Sequence, residues 1–172
     1  FLHLARDKRL RMQELPIEKV VGEELECLAS LPGGSFRLVR PDSGEPPLRV
    51  RADRACLRQI LRNLGLNAVE AGGTSVEVGW RRTGGEVEVY LRDHGPGMTE
   101  EIRARAFEPF FTTKPRGTGL GLAIARDLAE RLGGRLVLES AEGGGTRASL
   151  RLPLIPVPAE QTGPRIPAAR AA

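Results

Sequence analysis

Aromatic side chains are scarce in this sequence, at 4% of 172 residues, with one Trp, one Tyr and five Phe. A core must therefore be built from Leu, Val, Ile and Ala, and the stacking platforms of single-strand nucleic-acid binders are missing. Lysine occurs only at positions 8, 19 and 114, so arginine supplies nearly all of the 26 basic residues, set against 22 acidic ones. The net charge of +4 is scattered without a block of one sign, which excludes a basic stripe and gives no reason to expect a nucleic-acid partner. Cys27 and Cys56 are the only cysteines; they have no metal-ligand spacing and form no disulfide framework, as expected in a reducing compartment. There is no apolar run long enough to span a bilayer, and Phe1–Arg11 is too charged for a signal peptide. A cytoplasmic location without membrane contact by this domain is expected, although a parent protein could be membrane-anchored. A first residue other than Met suggests a piece excised from something longer.

What remains is 40% hydrophobic and 28% charged, the balance of one globular domain. Residues 1–13 are rich in helix formers, and after Pro16 the stretch 17–31 predicts a helix closed by Pro32-Gly33-Gly34. SFRLVRP and LRVRAD predict two short strands around a Pro/Gly turn at 41–47. Asp53 can cap a helix running to about Ala71. TSVEVGW and EVEVYLRD alternate around Gly84-Gly85 as a hairpin, and RLVLES and TRASLRL do the same around Gly143–Gly145. From 94 to 117 the chain is irregular, with a short helix at 99–106 inside a loop too long for a mere connection, and a longer helix follows at about 118–132. Beyond Pro153 the composition turns to Pro and Ala, which predicts a disordered tail over 154–172. The order gives an α+β fold, a two-layer sandwich of a mixed, mostly antiparallel sheet with three helices on one face.

Four stretches carry possible chemistry. ILRNLGLNAVEA (60–71) would stack Asn63 and Asn67 on one helical face among apolar neighbours, with Glu70 a turn further on. Such amides are either hydrogen-bonded to each other in the core or are neutral oxygen ligands for Mg²⁺ beside a phosphate group. DHGPGM (93–98), after a strand, either turns the chain or presents the Asp93 carboxylate to an exocyclic amine such as adenine's, with Gly95 and Gly97 letting the backbone pass close by. GTGLGL sets Gly117, Gly119 and Gly121 before a helix start, an anion-binding arrangement or else a hinge. Lys114 and Arg116 precede it and could reach phosphate oxygens or simply face solvent. Phe107, Phe110 and Phe111 either anchor the loop or set its open and closed positions.

Taken in order, RQILRNLGLNA, DHGPGM, FEPFFTTK, GTGLGLAIA and GGGT resemble the N box, first glycine box, F box, second glycine box and closing Gly-Thr element of the catalytic ATP-binding domain of sensor histidine kinases. The resemblance spans roughly residues 50–152, and residues 1–31 look like the end of that family's dimerisation helix and its linker. It implies a Bergerat ATP-binding fold over 16–153, with Mg-ATP held under a mobile lid, and a dimerisation-helix end and linker over 1–15. Asp93 would take the adenine amino group with Thr146 behind it, and Asn67 would coordinate Mg²⁺ with Asn63 beside it. Gly117, Thr118, Gly119, Leu120, Gly121 and Leu122 would approach the phosphates, with Lys114 and Arg116 as lid cations. Many relatives carry Lys or Arg where this chain has Glu70.

The gyrase-type, heat-shock-chaperone-type and mismatch-repair ATPases share that fold but place Glu at the position of Asn63 to activate water. A carboxamide is no general base, so transfer to an external nucleophile is expected over hydrolysis. Neither His3 nor His94 has the surroundings of the family's phosphoacceptor, so that histidine is expected upstream on a dimerisation domain outside this chain. The expected partners are ATP, that domain in a homodimeric full-length kinase and a cognate response regulator. An ATP-binding module that only regulates a partner, and a hydrolysing fold relative, are the competing readings.

Overall fold

A computed structural model describes residues 9–30, 35–39, 46–72, 75–115 and 117–156. The expected helix end at 1–8, the turn at 41–45, Arg116 and the tail from 157 lie outside these residues. Among the described residues no helix is long and apolar enough to cross a membrane.

Strand β1 (Met12–Pro16) leads into helix α1 (Ile17–Ala29), followed by β2 (Phe36–Val39), β3 (Arg49–Asp53) and helix α2 (Arg54–Glu70). The hairpin β4 (Val76–Thr83) and β5 (Glu86–Arg92) comes next, then the short α3 (Glu100–Arg105), α4 (Gly121–Arg131) and the hairpin β6 (Arg135–Ser140) and β7 (Thr146–Pro153). Five strands form a mixed sheet in the order β2-β4-β5-β7-β6, with only β2 parallel to its neighbour. The α+β sandwich expected from the element order is therefore present.

Two pairings differ from the sequence expectation. SFRLVRP and LRVRAD are strands, but not partners: β2 joins β4, while β3 pairs with β1 in a separate two-stranded ribbon. The apolar alternation of a strand names its buried face, not the neighbour that takes its hydrogen bonds. β1 itself falls within the stretch expected to be helix end and linker. MQELP has too few apolar positions to announce a strand, but Leu15 pairs with Val50 and sinks to 2% exposure. Beyond β7, Leu154 donates to the Gly85 carbonyl and Ile155 to that of Arg49, so pairing continues two residues into the segment read as tail.

The core lies between the helices and one face of the sheet. Leu57, Ile60, Leu61, Leu64 and Ala68 of α2 meet Val20, Val21 and Leu28 of α1, Ala125, Leu128 and Ala129 of α4, and the inward residues Val78, Val89, Leu91 and Leu150 of the sheet. Each Leu or Ile removed from water in this way contributes about 1.5–3 kcal/mol. At Gly65 the end of the Leu28 side chain of α1 rests on the backbone of α2, where a Cβ would stand 2.4 Å from its Cδ1.

Among the described residues no helix layer covers the other face of the sheet. There Glu88 of β5 is 2% exposed and bridges Arg81 on β4 to Arg147 and Arg151 on β7, at 2.6, 3.2 and 3.4 Å. Burial alone would raise the Glu88 carboxyl, but the guanidinium groups of Arg81 and Arg147 outweigh it and hold the group below 4.5. The Arg147 guanidinium also lies over the Tyr90 ring at 3.9 Å, and Gly79 provides the space in which that ring rests.

Asp53 ties the ribbon to α2. Its Oδ1 accepts from the N–H groups of Ala55 (2.9 Å) and Cys56 (3.1 Å) as the helix cap, and its Oδ2 accepts from the Arg11 N–H at 2.8 Å. Burial pushes its carboxyl up, and the N–H groups of Arg11, Cys56 and Ala55 together bring it below the ordinary 3.8. We expect Asp53→Ala to cost about 1–2 kcal/mol in urea unfolding. Since the folded state lowers this group, its contribution is complete above pH 3.8 and is lost as the pH falls further. The gap between wild type and Asp53→Ala should therefore close on acidification below that value.

Candidate nucleotide-binding site

A cleft of about 550 Å³ opens between α2, the end of β5, the 106–120 loop and the start of α4. Thirteen of the residues singled out in the sequence line it: Asn63, Asn67, Glu70, Asp93, Gly97, Phe111, Lys114, Gly117, Thr118, Gly119, Gly121, Leu122 and Thr146. Gly95 and Leu120 do not line it, and Arg116 lies outside the described residues.

Asp93 is fixed from behind. The residue is 4% exposed, and its Oδ1 accepts from the N–H groups of Gly95 at 3.0 Å and Thr146 at 3.1 Å. The Asp93 N–H in turn donates to the Thr146 carbonyl at 2.9 Å, which closes the end of β5 on the start of β7. With Oδ1 engaged in this way, Oδ2 is the oxygen with capacity for an incoming amine. Ser140 braces the same corner: its hydroxyl donates to the Gly145 carbonyl, accepts from the Met98 N–H and shares a hydrogen bond with Thr146, each at 2.9 Å.

Two glycines are required here. Gly97 and Gly145 both have φ of +72°, and a Cβ at Gly97 would stand 1.9 Å from the Ala141 carbonyl oxygen. At Gly145 it would meet the Asp93 carbonyl oxygen at 2.1 Å. The triple-glycine turn thus packs on DHGPGM through backbone alone.

The two carboxamides of α2 have separate partners. Asn63 donates from Nδ2 to the Gly121 carbonyl at 2.9 Å and accepts at Oδ1 from Gln59 at 3.3 Å, so it clamps α2 to the first turn of α4. Asn67 instead turns its Oδ1 toward the loop, where the Lys114 ammonium donates to it at 3.4 Å. The two amides do not hydrogen-bond one another in the core. Lys114 is also 2.6 Å from the Glu70 carboxylate.

The loop over the cleft starts from α3, whose cap Thr99 accepts from the Ile102 N–H at 3.2 Å. Its ends are pinched by the Phe110 N–H donating to the Gly119 carbonyl at 2.9 Å. Phe107 and Phe111 each lie under a guanidinium, of Arg126 at 5.3 Å and Arg105 at 4.2 Å, while Phe110, at φ +68°, is 68% exposed. The Phe residues thus divide between anchoring and exposure. α4 then begins at Gly121 rather than near 118, with Leu120 at its cap position and no side-chain cap on its first N–H groups. Uncapped N–H groups opening into a cleft are an anion site.

Of the apolar wall, sequence reasoning singled out Phe111 alone, and as part of the loop. Met98, Ile102, Phe111, Leu138 and Ala148 line the cleft from separate segments and give a flat heterocycle a dry surface. The signal of the other four in the sequence is weak, because each is a single apolar residue that any core position would also explain.

A dry slot ending in one carboxylate, a glycine-lined helix start and two carboxamides at the mouth define a nucleotide-binding α+β sandwich. The family model described as histidine kinase-, DNA gyrase B-, and HSP90-like ATPase matches residues 52–156, and the chain belongs to that family. Within it, the chain has the sequence and fold of the catalytic ATP-binding domain of the two-component sensor kinases. It is 38% identical over 157 residues to sensor histidine kinase ZraS of Klebsiella oxytoca, covering 89% of this chain and 34% of that protein. To the C4-dicarboxylate transport sensor protein DctB of Pseudomonas aeruginosa it is 37% identical over 159 residues, covering 88% and 26%. The chain thus spans about a third or less of the length of these curated relatives. Among solved structures it is similar to the nucleotide-free catalytic domain of histidine kinase ThkA, with TM-score 0.73 and 31% identity over 84% of this chain and 96% of that one. Full-length ShkA in complex with AMPPNP gives TM-score 0.77 and 29% identity over 92% and 35%.

The backbone contact at Gly97 gives a test with an internal control. Gly143 has the same φ of +72° but open space around it. Gly143→Ala is expected to cost about 1 kcal/mol of unfolding free energy for the left-handed conformation alone. Gly97→Ala should cost clearly more in the same urea titration, because it adds the collision with Ala141.

Proposed function

We propose that this domain binds Mg-ATP and passes its γ-phosphate to a histidine on the dimerisation domain of the same kinase, which then supplies a cognate response regulator. The observation that carries this reading is Asn63, whose amide is spent on the Gly121 carbonyl at 2.9 Å. A group that donates to a carbonyl and has no basic oxygen cannot take a proton from water. The nucleophile must come from outside, and an imidazole nitrogen, which attacks without a general base, suits such a site. The new P–N bond forms as the bond from the γ-phosphorus to the bridging oxygen breaks, and ADP leaves.

The other roles follow from position. Asp93 accepts the adenine amino group through Oδ2, with Thr146 supporting it, and the apolar wall excludes water from the ring. The N–H groups at Gly119–Leu122, with Gly117 and Thr118, face the phosphates, and Lys114 neutralises them from the lid; for Arg116, outside the described residues, the same role rests on the family resemblance alone.

The donor set fits a magnesium ion of the kind that keeps most of its water and phosphate ligands. Among the described residues no group of three His, Cys, Asp or Glu could hold a metal by itself. The Asn67 Oδ1 is a neutral oxygen at the cleft mouth that already faces a cation, the Lys114 ammonium, at 3.4 Å. Asn67 would hold the ion, which when bound would supply positive charge against that developing on the phosphates. This reading places the domain in the cytoplasm, where ATP is available.

Nucleotide titration of the purified domain tests the binding roles. Asp93→Asn is expected to weaken ATP by on the order of 10- to 100-fold, the loss of a charge-assisted hydrogen bond. Asn67→Ala should weaken it only when Mg²⁺ is present. Wild-type affinity in Asp93→Asn would remove the adenine assignment. Phosphate transfer in trans to a separately supplied dimerisation domain is the second arm; brisk phosphate release without that acceptor would instead favour a hydrolase.

A further inference from the structure

Glu70 stands where a phosphate-binding site should least accept a carboxylate. It is the last residue of α2, one turn beyond Asn67, on the same edge of the cleft. An acid in the final turn opposes the helix dipole, and α2 has no base in that turn to offset it. Among the described residues its partner is Lys114, brought from 44 residues away at 2.6 Å. The same ammonium lies 3.4 Å from the Asn67 Oδ1, so a single positive charge sits between the carboxylate and the carboxamide.

That arrangement has to change when a polyphosphate enters. The phosphates compete with Glu70 for Lys114, and the half-exposed pair, with side chains 54% and 37% accessible, is weak enough to be exchanged. If Lys114 moves to the phosphates, an uncompensated carboxylate is left facing a polyanion at close range. Repulsion of that kind would penalise the nucleotide unless a second cation replaced the ammonium.

We propose that Glu70 is a positioning residue for the divalent cation. Lys114 holds the place beside Asn67 and Glu70 in the empty domain and yields it to Mg²⁺ when the nucleotide arrives. Glu70 then meets the ion or its bound water, and Lys114 serves the phosphates. The carboxylate thereby makes the site discriminate between metal-loaded and metal-free nucleotide. This rests on the Mg-ATP reading above and adds to it a residue outside the glycine and asparagine motifs.

The test is calorimetric titration of ADP into the wild-type domain, Glu70→Gln and Glu70→Lys, each with Mg²⁺ and with EDTA. In EDTA, Glu70→Gln should bind ADP roughly two- to fivefold tighter than wild type, the size of one exposed charge interaction. With Mg²⁺ the same variant should gain nothing or lose affinity, so the ratio of the two dissociation constants falls. Glu70→Lys should lower that ratio further. A shift by the same factor in both conditions, or none in either, overturns the proposal, since the carboxylate would then be blind to the metal. A wild-type domain that binds ADP equally with and without Mg²⁺ takes down the Mg-nucleotide reading as well. A normal ratio in wild type that persists in both variants removes only Glu70. Melting temperatures serve as the fold control, and relief of the helix dipole predicts that neither variant melts below wild type.

Discussion

Everything in this domain depends on how α2 divides its circumference. Leu57, Ile60, Leu61, Leu64 and Ala68 supply the apolar stripe on which α1, α4 and the sheet converge. Asn63, Asn67 and Glu70 occupy the neighbouring stripe, along the edge of the cleft. Burial of the first stripe sets the rotation of the helix, and that rotation decides where the second can reach. All three of its residues meet the loop or the start of α4, Asn63 through the Gly121 carbonyl and Asn67 and Glu70 through Lys114.

Asn63 shows how one group can serve architecture and chemistry together. Its bond to the Gly121 carbonyl holds the start of α4 at the height from which the N–H groups face the cleft. A carboxylate in its place would confront that carbonyl with a second acceptor, and the clamp would be lost along with the change of chemistry. The switch between activating water and awaiting another nucleophile is thus tied to how the glycine loop is pinned. The glycines give the loop its freedom, and Asn63 limits it.

The parts of the fold that were legible in the sequence are governed by local rules. Asp53 announces the α2 cap because an Asp before a helical stretch readily accepts from the N–H groups two or three residues on. The hairpins around Gly84 and Gly143–Gly145 follow from alternation and turn chemistry, and DHGPGM and GTGLGL from glycines next to potential ligands. What was not legible depends on distance. β1 finds its hydrogen bonds on β3, and β2 lies parallel to β4; neither choice leaves a mark in five residues of MQELP or four of FRLV. The apolar wall is assembled from single residues on separate elements. The Lys114–Glu70 pair joins positions 44 apart, so the sequence suggests only that a lid lysine and an odd carboxylate both exist.

A two-layer sandwich has a back as well as a front, and here the back is finished with charge. Glu88, buried among Arg81, Arg147 and Arg151, links three adjacent strands through one carboxylate, and the Tyr90 ring lies flat beneath Arg147. Sliding β4 against β7 would have to pull guanidinium groups off that shared acid, so the lattice resists shear as a rivet does. The arginine heads still keep the surface wettable. The sheet thus keeps its register on the side away from the apolar core by a shared charge rather than by packing.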